Sequence, residues 1–290
     1  MNIPIGWAIA LISTLVGFIW LGGAWHQLWV PQEYLIIFGA AFGTLIASNK
    51  FRNLKNLGVA FSLLFVRASI TRQTNIELLN LMFELLQRVK KDGVRSIESD
   101  IDNPVTSTIF SKYPKITASP RLVEFITDYF RMMLDGSVTL GQLEAIMHQE
   151  IEVLHEEMHQ PSHSMMTLSD SLPAFGIVAA IVGVIRALTS IATSSPGQIG
   201  EMIAAALLGT LFGVFAAYAI LGPIGRTLQQ VADIELRPFQ AVKEILIAHY
   251  SDFSPIIAVE YGRKVLYSDQ RPSMLELESG VRDASRSAPK

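Results

Sequence analysis

Apolar positions follow two patterns along this chain, unbroken runs and stripes at helical spacing. Ile3 to about Leu21 is an unbroken run with Trp7 and Trp20 near its ends, and residues 34–49 form a shorter one. Two more lie at about 172–192 and 202–224. A helix needs roughly 17 to 25 mostly apolar residues to cross about 30 Å of hydrocarbon. The pattern therefore predicts four membrane spans. The run at 34–49 is just short of that range, and Glu33 and Lys50 at its ends can extend outward to water. Short connectors at 22–32 and 193–200 pair the spans into two helical hairpins. The first run lacks a basic leader and a small-residue cleavage site, so it reads as a retained span.

Between the hairpins the pattern changes to stripes. Leu78, Leu79, Met82, Leu85, Leu86 and Val89 share one helix face. Ser119-Pro120 reads as an N-cap with proline at the first helical position, followed by Leu122, Phe125, Ile126, Tyr129 and Met133. Thr139-x-x-Gln142 has capping-box spacing and opens a helix carrying Leu143, Met147, Ile151, Leu154 and Met158. Gly136 and the Ser162 region punctuate these helices. The expected fold is all-α: four transmembrane helices, a large helical domain between spans two and three, and a C-terminal tail. The expected divisions are a hairpin at 1–49, a cytoplasmic domain at 50–170, a second hairpin at 171–225 and a cytoplasmic helix and tail at 226–290. The small polar residues 282–290 read as disordered.

Charge sharpens this. Only 17% of residues are charged, against about 25% in soluble domains. No Asp, Glu, Lys or Arg occurs in 1–32, 34–49 or 202–225, and 171–200 holds Arg186 alone. The absence of cysteine excludes a disulfide-stapled domain, and a net charge of −3 gives no broad basic surface for nucleic acid. Lys50, Arg52, Lys55, Arg67 and Arg72 follow span two, and Arg226 and Arg237 follow span four, while the short connectors hold no Lys or Arg. The long middle segment and both termini are thus expected in the cytoplasm.

The candidate chemistry is sparse. His155-Glu156-Glu157-Met158-His159 matches H-E-x-x-H, with His163 and His148 as further donors, and its zinc-protease reading is set against a chance match on a solvated acidic helix. No nucleotide-binding glycine loop is visible, so no cofactor and no enzyme activity are expected. Gly39-x-x-x-Gly43 and Gly209-x-x-x-Gly213 place glycines on one helix face for close packing, within the chain and against other chains. Pro173 and Pro223 interrupt the hydrogen bonding of spans three and four. Glu33, Asp170 and Glu201 lie at or beyond span ends, and Arg186 can reach the outer face. A proton relay normally needs a titratable group inside the membrane, so a partner is expected to bring the carboxylate, with Thr210 and Thr189 offering hydroxyls.

Residues 206–215, ALLGTLFGVF, followed by Pro223, resemble the fourth-span signature of the MotA family of flagellar stator subunits. Residues 170–180, 100–104 and 259–267 are similar to other segments of that family, so the likeness runs nearly the whole chain. It implies a homo-oligomeric ring, understood as a pentamer, in membrane lipid around two copies of MotB, whose aspartate carries the ion. Ion flow would turn the ring, and its cytoplasmic domain would push the rotor protein FliG. Pro173 and Pro223 would couple ion passage to movement, and Thr210 would line the interface. The rotor-facing charges would fall on Glu98 and Lys90, with Arg88 and Lys91 as alternates. Sodium-type relatives carry threonine where this chain has Ala180, whose methyl offers no ligand to Na⁺, so protons are expected. The competing ExbB/TolQ family of three-span energisers is less similar in span number and C-terminal segment.

Overall fold

Runs and stripes alike become helix, and among the described residues no strand occurs. The structure is a computed structural model that describes residues 3–63 and 70–277. Arg67 and the tail at 282–290 lie outside the described residues. In chain order the helices are α1 (Ile3–Trp20), α2 (Pro31–Ser48), α3 (Phe51–Leu63), α4 (Arg72–Asp92), α5 (Glu98–Asp102), α6 (Pro114–Thr117), α7 (Pro120–Asp135), α8 (Leu140–Thr189), α9 (Pro196–Phe215), α10 (Gly222–Tyr250) and α11 (Pro255–Val265). Four of these stretches are long and apolar enough to cross a membrane: α1, α2 with the turn before it, α8, and α9 continuing into α10.

The stops and starts follow local chemistry. Thr71 caps α4 through the Thr74 amide, and Gly93 ends that helix at φ 83°. Gly136, at φ 64°, ends α7 in the left-handed region where a side chain would be strained. The Thr139 box forms, with the Thr139 amide donating to Gln142 Oε1 at 3.0 Å and the Gln142 amide to Thr139 Oγ1 at 3.4 Å.

The break expected near Ser162 does not occur. Helix α8 runs for 50 residues through Pro161 and Pro173. The serines that suggested a loop instead face other helices: Ser162 Oγ donates to the Gly225 carbonyl at 2.9 Å, and Ser164 Oγ to Asn49 Oδ1 at 2.7 Å. Polar groups buried between helices look like loop residues in a sequence because burial is not yet known.

Two compact units result: residues 1–67 with 159–230, and residues 68–158 with 231–290. In the first, Ile37, Ala41, Leu172, Ala179, Ala216 and Ala217 form one apolar cluster, and Leu45, Leu57, Met165, Ile224 and Leu228 another. Isoleucines and valines such as Ile5, Ile9, Ile181 and Val182 stay exposed, as expected of helices bathed in lipid. In the second unit the predicted stripe of α4 is fully buried at Leu78, Leu79, Met82, Leu85 and Leu86, and Leu81 widens it. Phe125 of α7 packs edge-on against Tyr129 and Phe239. Tyr129 donates its hydroxyl to Glu150 Oε2 at 2.6 Å, and burial together with that carboxylate pushes its ionisation upward. Gly262 of α11 lies so close to α10 that a Cβ would sit 2.7 Å from the Ala241 carbonyl. Arg263 beside it is buried, bonded to Glu260 and to the Pro272 carbonyl at 2.7 Å. The segment 259–267 that supported the family resemblance is therefore a packing motif.

Candidate functional site

The facing surfaces of α8 and α9 are built from small residues. A Cβ on Gly176 would lie 3.0 Å from the Gly209 carbonyl and 3.3 Å from Gly213 Cα, and one on Gly183 would lie 2.5 Å from Ala206 Cβ. These backbones touch directly, as the Gly209-x-x-x-Gly213 spacing predicted. The other glycine pair differs: nothing lies within 4 Å of a Cβ on Gly43, and Gly39 meets only its own helix. Both are exposed.

Thr210 sits at this contact, half-buried, with Oγ1 3.5 Å from the Gly176 carbonyl. An O–H···O bond prefers about 2.7 Å, so this long contact leaves the hydroxyl available. Ala180 is half-buried, and its neighbour Ala179 makes the contact with Gly209, at 3.2 Å from a Cβ there.

Glu33 was expected to extend outward to water. Instead it packs inward in the first turn of α2, 9% exposed, with Cγ 3.6 Å from a Cβ on Gly209. Its Oε2 has no hydrogen-bond partner among the described residues. The cause is tertiary: a glycine on α9 leaves room for the side chain, and Tyr34 beside it packs edge-on against Phe212 at 4.9 Å. One carboxylate at a span end thus packs among the helices instead of reaching outward. The only early signal was a lone acid one residue ahead of an uncharged run. Asp170 and Glu201 are exposed, in accord with expectation.

Pro173 lies inside α8, and Pro223 is the second residue of α10. Immediately before Pro223 the fourth span widens into a π-helical turn, Ala216–Leu221, in which the Gly222 amide reaches back to the Ala217 carbonyl. A proline ring clashes with the carbonyl four residues earlier in an α-helix. The wider turn relieves that clash. Periodicity could not reveal it, because one extra residue in a turn leaves an all-apolar segment unchanged.

In the other unit, Lys90 and Lys91 occupy the last turn of α4, and Glu98 opens α5 after the Gly93 bend. All three are exposed, and among the described residues none forms an ion pair. Arg88 differs. Its Nη1 lies 3.0 Å from Oδ2 of Asp100, which is 6% exposed and also accepts from Ser107 Oγ at 2.6 Å. Ser107 Oγ in turn accepts from the Ile109 and Phe110 amides at 3.1 and 3.2 Å. Arg88 therefore braces the corner that presents Lys90 and Glu98. Burial holds the His249 imidazole below its usual range, with Asp252 opposing the shift and Lys90 adding to it.

The H-E-x-x-H histidines have different surroundings. His155 is exposed and lines a cleft of about 460 Å³ with His148, Glu152 and Lys243, whereas His159 is buried.

The family described as Motility protein A N-terminal matches residues 4–93, and the MotA/TolQ/ExbB proton channel family matches residues 121–241. The chain is 38% identical to motility protein A of Salmonella typhimurium, over 97% of this chain and 95% of that one. It is 39% identical to motility protein A of Escherichia coli over the same shares, 97% and 95%. Chemotaxis protein LafT of Vibrio parahaemolyticus is 33% identical over 92% and 94%. Among solved structures, C. jejuni MotAB superposes with a TM-score of 0.73, covering 94% of this chain and 98% of that one at 20% identity. The MotAB stator complex of Bacillus subtilis gives 0.70, over 93% and 98%, also at 20% identity. At such identity these two speak for the fold alone.

Proposed function

The chain belongs to the MotA family of flagellar motility proteins, and from that premise we propose that it is the stator subunit that joins MotB to form a proton channel. The observation that carries this reading is the match to motility protein A along 97% of the chain at 38% identity. It is a multi-pass membrane protein and not an enzyme. In this reading the second unit and both termini face the cytoplasm, in keeping with the basic residues after spans two and four. Five copies surround two MotB spans in the inner membrane, and MotB brings the aspartate that takes up each proton.

Within that arrangement Thr210 is the hydroxyl nearest the passing proton, and Glu33 is an acid on its outer side. Ala180 supports protons over sodium, because Na⁺ must replace its water oxygens and a methyl group supplies none. Lys90 and Glu98 are the charges offered to FliG. Lys90 is favoured over Arg88, whose guanidinium is already held by Asp100. The charge keeps its sign but lacks the planar fork of arginine, so the contact is a point attraction.

The test is complementation of a stator-less, non-motile strain with this chain, with and without a matching MotB. Swimming that needs both, stops with a protonophore and survives sodium removal is the expected result. Swimming without any MotB overturns the shared channel, and swimming that stops without sodium but survives the protonophore overturns the choice of ion.

A further inference from the structure

One buried group between spans three and four lies outside everything assigned so far. Ser169 is 3% exposed, and its Oγ donates to the Ala217 carbonyl at 2.8 Å. Ala217 belongs to the widened turn of the fourth span, and its carbonyl already accepts the Gly222 amide from five residues ahead. Ser169 also stands four residues before Pro173. Proline has no N–H, so the Ser169 carbonyl loses its normal partner in α8. One residue therefore touches both irregularities: its carbonyl belongs to the proline break in span three, and its hydroxyl holds the wide turn before Pro223. A π turn is a local, higher-energy state of a helix and recurs at functional sites. It stays only where neighbours favour it.

The surroundings favour it from two sides. A Cβ on Gly222 would lie 3.0 Å from the Ala217 carbonyl and 3.6 Å from Ser169 Oγ, so any side chain there crowds this approach by a few tenths of an ångström. About two helical turns away, Ser162 Oγ makes the same kind of bond to the Gly225 carbonyl at 2.9 Å. Two serine hydroxyls on one helix thus bracket Pro223 on the other. By contrast, Ser171 bonds within its own helix, to the Leu168 carbonyl at 2.7 Å.

We propose that Ser169 is a positioning residue for torque generation, which latches the wide turn of span four to the proline break of span three. When ion passage bends one span, the bond carries the bend to the other. The inference rests on the stator reading above.

The test compares Ser169→Ala, Ser169→Thr and Ser171→Ala with the unaltered chain, each expressed with MotB in the stator-less strain. Torque at high load is measured per stator, and hydrogen exchange of residues 216–222 is measured on the purified complex. Loss of one buried hydrogen bond should speed exchange of the Gly222 amide about fivefold and lower torque, at an unchanged membrane level. Ser169→Thr, which keeps the hydroxyl, should restore both, and Ser171→Ala should change neither. Should Ser169→Ala fail to accumulate, Gly222→Ala presses on the same carbonyl and decides by the same two readouts. Unaltered torque in the latch variants, or lost torque with unaltered exchange, overturns the proposal. If the unaltered chain with MotB restores no swimming, the stator reading itself falls.

Discussion

Replacing Gly213 with alanine should force spans three and four apart. The new Cβ would lie 2.7 Å from the Leu172 carbonyl and 3.0 Å from Gly176 Cα, both backbone atoms that cannot swing aside. Ordinary contact begins at 3.4 Å, so the helices must separate by about 0.7 Å at this level. A gap of that size forfeits about a quarter to a half of the dispersion attraction between the facing atoms. Overpacking costs about 1–3 kcal/mol, and alanine returns about 0.5–1 kcal/mol through its better helix propensity. The net loss is then about 0–2.5 kcal/mol, and about 1 kcal/mol, near the middle of that range, is roughly a fivefold change in equilibrium. Gly43→Ala supplies the contrast, because nothing lies within 4 Å of its Cβ and only the propensity gain applies. Thermal melting of the two variants in one detergent should place Gly213→Ala several degrees below the parent and Gly43→Ala slightly above it. A Gly213→Ala chain that melts at or above the parent would refute the reasoning, as would an equal loss in Gly43→Ala.

Four further outcomes are expected. Glu33→Gln should leave melting unchanged or raise it, because a buried carboxylate loses its charge, yet it should slow swimming; swimming at parental speed removes Glu33 from the ion path. Asp100→Asn should destabilise the second unit by about 1 kcal/mol, below the usual range for a lost charged hydrogen bond because Arg88 is part-exposed. Lys90→Ala should leave stability alone and cut torque, and a matching loss of stability would tie Lys90 to the fold instead. For His249, the folded imidazole titrates below its ordinary 6.5. The unfolded chain then binds more protons in that window, so stability should be level above pH 6.5 and fall below it. His249→Gln should flatten the fall, and melting measured from pH 7.5 down to 5.5 distinguishes the two curves.

Much of this molecule is visible in the order of its residues. Four apolar runs, three amphipathic stripes and the Thr139 capping box depend on neighbours within one or two turns, so spacing alone locates them. The same holds for Lys90 and Glu98, which are exposed ends of local elements. Arg88 was not separable from Lys90 in this way, because its partner Asp100 and the Ser107 bond form only when the chain folds back.

The unseen features share one physical cause, the burial of polar or irregular backbone between helices. Glu33 looked like a span end until Gly209 on another helix made room for it. Ser162 and Ser164 looked like a loop until the Gly225 carbonyl and the Asn49 side chain turned them into internal contacts. The wide turn before Pro223 carries no period of its own. By itself the sequence determined most of the helical segments, the four runs that cross the membrane and that the spans are poor in charge, because these follow from composition within a segment. Only tertiary structure decided where the remaining polar groups point, because the cost of burying them is offset by partners far away in the chain.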